Sequence, residues 1–165
     1  LPITLSVLFI ELAERLGIEG VTGLPLPGHF LVKHQPEKGS IKLIDVFHSG
    51  EEMTFEEADS LALQYQVNDV RSKYMASASK RDIIMRMLTN LRYFTQSHSR
   101  LEDSLPYLDL MIAIDEEDAS LRLERATISL RSGRRASARS DFEWLLKKES
   151  KGLRLDRIRE ALKSL

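Results

Sequence analysis

The sequence predicts an α+β fold, made of a helix and an antiparallel sheet, followed by an all-helical region. Most of the glycine and proline lies in the first 50 residues, among short runs rich in β-branched and aromatic residues, whereas the remainder carries apolar residues at helical spacing. The net charge divides in the same way, at −5 over residues 1–78 and +4 over residues 79–165. We therefore predict two domains, 1–78 and 79–165.

The first predicted element is a helix from Thr4 to Leu16. Gly17 is suited to end it, because glycine readily adopts the left-handed conformation found just beyond helix ends. The chain opens directly on this helix at Leu1, so we expect the first domain to be truncated at its N-terminus. The helix is indicated by apolar residues that fall on one stripe, namely Leu5, Leu8, Phe9, Leu12 and Leu16.

Strands are predicted after this helix, followed by a second helix. Ser49 and Gly50 break the last strand, and Thr54 with Glu57 forms a capping box that opens a helix to about Gln64. The predicted strands are Val21 with residues 24–27, then 30–34, then 41–47.

The helical region carries a weak repeat with an offset of 34 residues, in units of about 83–116 and 118–150. Gly133, Ala138 and Phe142 stand where a tetratricopeptide repeat has its turn glycine, its small residue and its aromatic residue. We expect a cap at Ser79 with Asp82 and another at Asp118, and we expect Tyr107, Phe142 and Trp144 to lie between helices. A terminal helix is predicted by the stripe Leu155, Ile158, Leu162 and Leu165.

The candidate site lies in the first domain, at His29 and Asp45. Two antiparallel strands joined by the polar turn near residues 36–40 bring these side chains together. A neighbouring helix would normally supply the nucleophile of a Cys-His-Asp triad, but the chain has no cysteine. The pair is thus either a base with its orienting acid or a buried hydrogen-bonded pair that holds the hairpin together.

The residues around His29 and Asp45 suggest two further chemistries. Ser6 or Thr4 could offer a hydroxyl nucleophile, although no nucleophile-elbow motif is present. His29, Asp45 and His48 are residue types that bind zinc or iron. Because Asp45 and His48 are three apart on a strand or its exit, they are expected to face opposite ways, and we predict no metal.

Binding surfaces are predicted at two places. Pro27, Gly28 and His48 would line any cleft beside His29. In the helical region, Arg122 and Arg125 begin an arginine run that could bind an acidic partner, or could simply be a solvated surface balanced by nearby carboxylates.

Two segments of the first domain resemble those of the SirB-type proteins. These are Leu26–Val32, which contains PGHFLV, and Ile44–Gly50, which reads ID-F--G; the first helix also fits. The resemblance implies a transglutaminase-like, that is papain-like, domain followed by tetratricopeptide-like helices. In that superfamily a cysteine at the start of the first helix works with a histidine and an aspartate. The resemblance places these two on His29 and Asp45 and the missing cysteine near Pro2.

These observations predict a non-catalytic protein-interaction or regulatory module with a degenerate site and no cofactor. The alternative is a hydrolase or acyltransferase that uses a Ser or Thr hydroxyl, or a bound metal, at the cleft of His29 and Asp45. We expect a protein or peptide partner, acidic in character, on the helical repeats. The balanced charge and the lack of a long apolar run argue against nucleic-acid and membrane binding, and the lack of cysteine fits the cytoplasm.

Overall fold

The computed structural model of the protein describes residues 2–65, 76–98, 100–149 and 152–165. The chain forms two units, Leu1–Ile84 and Met85–Leu165. The first holds an antiparallel sheet with helices and the second is helical, so the predicted α+β fold with a following helical region is confirmed.

The sheet of the first unit has four strands in the order β1-β2-β3-β4, each antiparallel to its neighbour. Strand β3 ends at Asp45 rather than at Phe47, and the three-residue strand β4 was not predicted. The elements of this unit are α1 (Pro2–Arg15), β1 (Val21–Leu26), β2 (His29–His34), β3 (Lys42–Asp45), β4 (Glu51–Met53) and α2 (Phe55–Leu63).

The two helices contribute to different parts of this unit. Helix α2 places Ala58 and Ala62 in one fully buried cluster with Leu31 of β2 and Leu43 of β3. Helix α1 packs against β1 and β2. Burial of each large apolar side chain contributes about 1.5–3 kcal/mol to folding, so the cluster holds β2 and β3 in register beside α2.

Helix α1 turns its predicted apolar stripe outward. Its buried residues are instead Ile3, Ser6 and Ala13, which also follow helical spacing. Gly17 ends the helix as expected, with φ of +72° and a hydrogen bond from the Ile18 N–H to the Ala13 oxygen. The stripe that predicted the helix is exposed at Leu5, Leu8, Phe9, Leu12 and Leu16.

The predicted helix caps are present. Thr54 Oγ1 accepts from the Glu57 N–H, and the Glu57 carboxylate accepts from the Thr54 N–H in return. Ser79 and Asp82 make the same reciprocal pair. Asp118 accepts from the N–H groups of the two residues at the second and third helical positions. Sequence spacing alone located these three helix starts.

Helices make up the second unit, with the first of them starting before the division between units. Across the described ranges no helix is long and apolar enough to cross a membrane. The elements are α3 (Lys80–His98), a 3-10 helix (Leu101–Ser104), α4 (Leu105–Ile114), α5 (Ala119–Arg131), α6 (Arg135–Lys147) and α7 (Leu155–Lys163).

Two apolar clusters stabilise the helical unit. Phe142 is buried with Ala126, Ala138 and Ile158, which joins α5, α6 and α7, so the prediction that Phe142 lies between helices is confirmed. The other cluster centres on Leu108 and draws residues from α3, α4 and α5, with Tyr107 half-buried at its edge. Trp144 is half-buried against the first cluster.

Candidate functional site

His29 and Asp45 lie in direct contact. The His29 Nε2 atom is 2.7 Å from Asp45 Oδ2, and the carboxylate is almost fully buried, with 3% of its side chain exposed. The prediction that these two residues meet across adjacent antiparallel strands is confirmed.

The β2–β3 register explains the contact. Val32 pairs with Ile44, so the next step places Leu31 opposite Asp45. His29 lies two residues before Leu31 in β2, so its side chain points to the same face. It is therefore a diagonal neighbour of Asp45. An imidazole ring is long enough to span that diagonal.

The turn after β3 brings His48 to the same carboxylate. Asp45 Oδ1 accepts from the main-chain N–H groups of Phe47 and His48, at 3.0 and 3.1 Å, which folds the chain back on itself. Ser49 and Gly50 then adopt positive φ and lead into β4. As a result His48 Nδ1 lies 2.7 Å from Asp45 Oδ2.

Four hydrogen bonds therefore converge on the Asp45 carboxylate. Burial alone would raise the pKa of Asp45, but the hydrogen bonds from His48 and His29 favour the charged form and outweigh it. Together they lower the pKa to about 2, so the group is an anion throughout the physiological range.

This geometry corrects the expectation that Asp45 and His48 face opposite ways. The strand ends at Asp45, so the alternation of side chains does not extend to His48. One ligand atom from each of His29, Asp45 and His48 lies within 4.8 Å of the others. The two imidazole planes are parallel to within 2°, with centroids 5.9 Å apart.

Pro27 and Gly28 form the two-residue turn that delivers His29. Leu26 pairs with His29, and Gly28 adopts φ of +68°. A Cβ atom at Gly28 would lie 2.0 Å from the hydroxyl oxygen of Tyr65, so this ring covers the turn. Sequence analysis did not single out Tyr65, because no motif marks a residue that follows a helix end.

A pocket of about 120 Å³ opens beside Asp45 and His48. Three glutamates line it, and none of them was predicted as a site residue. In the sequence, only the acidic residues on both sides of Met53 indicate that carboxylates gather here. The lining residues are Asp45, His48, Glu51, Glu52, Met53 and Glu57.

The hydroxyl groups considered as nucleophiles lie in different surroundings. Ser6 is fully buried and its hydroxyl donates to the main-chain oxygen of Phe30, at 3.2 Å. Thr4 is exposed on α1. Pro2, near the predicted cysteine position, begins α1 as expected, but its side chain lies outside the described residues.

Arg122 and Arg125 are engaged within the helical unit. Arg125 binds Asp141 through two nitrogens, at 2.7 and 2.8 Å, and Asp109 through a third. Arg122 donates to the main-chain oxygen of Glu116 and stacks its guanidinium over Trp144, 4.2 Å from the ring centroid. Both arginine side chains are largely buried, so neither guanidinium projects freely to a partner.

Comparison with known proteins supports the fold of the first unit. Residues 1–89 match the sequence profile of a family described as the transglutaminase-like superfamily. A UPF0162 protein of Xylella fastidiosa strain 9a5c is 30% identical over 146 residues, which covers 86% of this chain and 51% of that protein. A UPF0162 protein of Xylella fastidiosa strain Temecula1 / ATCC 700964 is 28% identical over 169 aligned positions, which cover 99% of this chain and 59% of that protein.

The chain thus spans about half the length of the curated relatives that it matches. No solved structure shows a significant match to it.

Proposed function

Because this chain belongs to the transglutaminase-like superfamily but contains no cysteine, we propose that it is a non-catalytic interaction or regulatory module. The reaction of that superfamily depends on a thiolate formed beside a histidine. Here the histidine and aspartate are retained while the chain holds no thiol for them to activate.

The observation that carries this proposal is the saturation of Asp45. Its two oxygens receive two main-chain N–H groups and two imidazole nitrogens, which is the full complement of a buried structural carboxylate. Such an arrangement ties β2, β3 and the following turn together. It supports a stabilising role for His29 and Asp45.

Hydroxyl catalysis, the alternative, has weaker support. A hydroxyl nucleophile must transfer its proton to a base, whereas the Ser6 hydroxyl donates to the Phe30 carbonyl oxygen. It is also fully buried, which removes it from a substrate.

For the partner surface we propose the exposed arginines near the turn between α5 and α6. Unlike Arg122 and Arg125, these four are solvent-exposed. One ends α5, one lies in the turn and two belong to the start of α6. An acidic protein or peptide segment suits such a surface, because guanidinium groups bind carboxylates in pairs. The four are Arg131, Arg134, Arg135 and Arg139.

The finer family assignment is also a proposal. The joint burial of Ala126, Ala138 and Phe142 supports tetratricopeptide-like helix pairs, and hence the SirB-type arrangement. We also propose a cytoplasmic location.

Two assays test the function. Amide and ester substrates are incubated with the full chain, and we expect no turnover above buffer; turnover that disappears in His29→Ala would establish catalysis instead. A library of acidic peptides is then screened for binding. Charge reversal of any one of the four arginines to Glu should weaken binding, whereas Arg154→Glu, with the same change in net charge, should not.

Arg154 is a matched control because it is an exposed helix-start arginine that already pairs with Asp156, at 2.9 Å. If both reversals weaken binding equally, the attraction is a general charge effect and the proposed surface is wrong. If no acidic peptide binds, an acidic partner is excluded.

A further inference from the structure

Three potential metal ligands converge in the first unit. His29 Nε2 and His48 Nδ1 each lie 2.7 Å from Asp45 Oδ2, and all three atoms lie within 4.8 Å of one another. They come from strand β2, the end of β3 and the turn that follows it. The sheet pairing brings His29 to Asp45 from 16 residues away, and the local turn after β3 brings His48 to the same carboxylate.

The carboxylate is oriented in the way that metal-binding carboxylates are. The Oδ1 atom of Asp45 is occupied by the N–H groups of Phe47 and His48, at 3.0 and 3.1 Å, which leaves Oδ2 as the atom directed at the two rings. Hydrogen bonds of this kind fix the direction of a ligating carboxylate and are a regular feature of metal sites.

The imidazole nitrogens can serve either as hydrogen-bond donors or as ligands. Without a metal, both nitrogens that face Oδ2 must carry a hydrogen for both contacts to be hydrogen bonds. A divalent cation could be held by the same three atoms if each neutral ring carried its hydrogen on its other nitrogen instead. Two imidazoles and one carboxylate are a donor set for zinc and related transition metals, and not for magnesium or calcium.

All three separations between the ligand atoms must adjust when an ion binds. Bonds of about 2.0–2.1 Å at tetrahedral angles put ligand atoms roughly 3.3 Å apart. The two contacts at 2.7 Å would therefore each open by roughly 0.6 Å, and the two imidazole nitrogens, which lie within 4.8 Å of each other, must also come to roughly 3.3 Å. His48 can supply this movement, because its side chain is 60% exposed and lies on a turn.

The surroundings favour a cation and leave room for a further ligand. Glu51, Glu52 and Glu57 line the pocket of about 120 Å³ that opens beside Asp45 and His48. Of these three glutamates, Glu52 forms an ion pair with Lys42. A water molecule or the Glu51 carboxylate could complete four-fold coordination from this side, since Glu52 pairs with Lys42 and Glu57 accepts from the Thr54 N–H.

We infer that the first unit binds one divalent transition-metal ion of the zinc type through His29 Nε2, Asp45 Oδ2 and His48 Nδ1. The ion joins the start of β2, the end of β3 and the turn at 46–50, so it cross-links these segments at one end of the sheet. This site is independent of any partner bound by the helical unit.

The test uses the full chain without a histidine tag, freed of metal by chelation. Cobalt(II) is titrated and its visible absorption followed, and Zn²⁺ affinity is measured by competition. We expect one equivalent bound with the spectrum of a tetrahedral site, displaced by Zn²⁺ and not by Mg²⁺. His48→Ala should weaken binding by about tenfold or more, since loss even of outer-shell partners costs 10–100-fold.

His34→Ala is the matched control, because His34 also belongs to β2 but lies outside the cluster. It should bind as the wild type does. Equal affinity of the wild type and His48→Ala, or no affinity above that of the unfolded chain, would overturn the inference.

Hydrogen exchange provides a second readout that does not depend on absorption. Zn²⁺ should slow exchange at residues 46–50 in the wild type and in His34→Ala, and leave it unchanged in His48→Ala. Asp45→Asn should behave like His48→Ala, and protection that persists in both variants would place the ion elsewhere.

Discussion

The imidazole of His29 and the carboxylate of Asp45 meet at 2.7 Å across neighbouring antiparallel strands, with the carboxylate buried. In a transglutaminase-like domain this pair would serve a thiolate. Here the same carboxylate also binds His48 and two main-chain N–H groups, so it attaches the end of β3 to the turn that follows it.

The first prediction concerns the stability of that attachment. Asp45→Ala should cost about 3 kcal/mol, because it leaves buried donors without their charged acceptor. Asp45→Asn should cost less, since the amide oxygen can still accept from the main chain. Glu52→Ala on β4 is the control: this exposed carboxylate pairs with Lys42 and should change stability by less than about 1 kcal/mol.

The measurement should be hydrogen exchange of the β2 and β3 amides. Trp144 is the sole tryptophan and belongs to the other unit, so its fluorescence does not report on this sheet. Equal exchange rates in Asp45→Ala and Glu52→Ala would show that the hydrogen-bond network contributes nothing to stability.

The second prediction separates two effects at Gly28. Gly28→Ala faces both a positive φ and a Cβ position 2.0 Å from the Tyr65 hydroxyl, whereas Gly17→Ala faces a positive φ with no atom within 4 Å. Backbone strain alone costs roughly 1 kcal/mol. Gly28→Ala should therefore destabilise the first unit more than Gly17→Ala.

Hydrogen exchange at His29 and Phe30 would measure this difference. If a second change, Tyr65→Ala, restores the stability lost in Gly28→Ala, the Tyr65 ring is the cause of that loss. If the two glycine variants have the same effect, Tyr65 moves aside without cost.

Sequence patterns predicted the elements whose causes are local. The reciprocal pairs at Thr54 with Glu57 and at Ser79 with Asp82 lie within one helical turn, so their spacing was sufficient. The meeting of His29 with Asp45 followed from strand alternation and one short turn. The family itself is confirmed, while the SirB-type and tetratricopeptide assignments stay predictions.

The features that the sequence did not predict depend on contacts that local patterns do not encode. The stripe on α1 indicated a helix but not which face is buried: Ser6 and Ala13 are buried, whereas Leu8 and Leu12 are exposed. The position of His48 depends on β3 ending at Asp45, a point that apolar alternation does not reveal. Likewise, the arginine run did not show that Arg125 lies beside Asp141, 16 residues away.

The third prediction tests the packing of the helical unit. Phe142→Ala should cost about 3–5 kcal/mol, because the ring is 3% exposed in the cluster that joins α5, α6 and α7. Phe94→Ala is the control, since Phe94 on α3 is 59% exposed. Urea unfolding followed by Trp144 fluorescence reports on this unit, and similar midpoints for the two variants would contradict the packing.

The last prediction uses the two carboxylates that share Arg125. Asp141 is almost fully buried and accepts two of its nitrogens, while Asp109 is 61% exposed and accepts the third. Bonding to Asp141 raises the pKa of the Arg125 guanidinium above its ordinary value, so the arginine stays charged in its half-buried position.

Asp141→Ala should accordingly cost about 3–5 kcal/mol, because it leaves a buried cation without its main partner. Asp109→Ala should cost no more than about 1 kcal/mol, since water replaces the exposed carboxylate. Unfolding should be followed by circular dichroism as well as fluorescence, because Arg122 links Asp141 to the Trp144 ring and the substitution will alter the emission of the folded state. A double substitution, Asp141→Ala with Arg125→Met, removes the unpaired charge and should recover much of the loss. Failure of that recovery would show that the carboxylate stabilises the helices through Arg122 and not through Arg125.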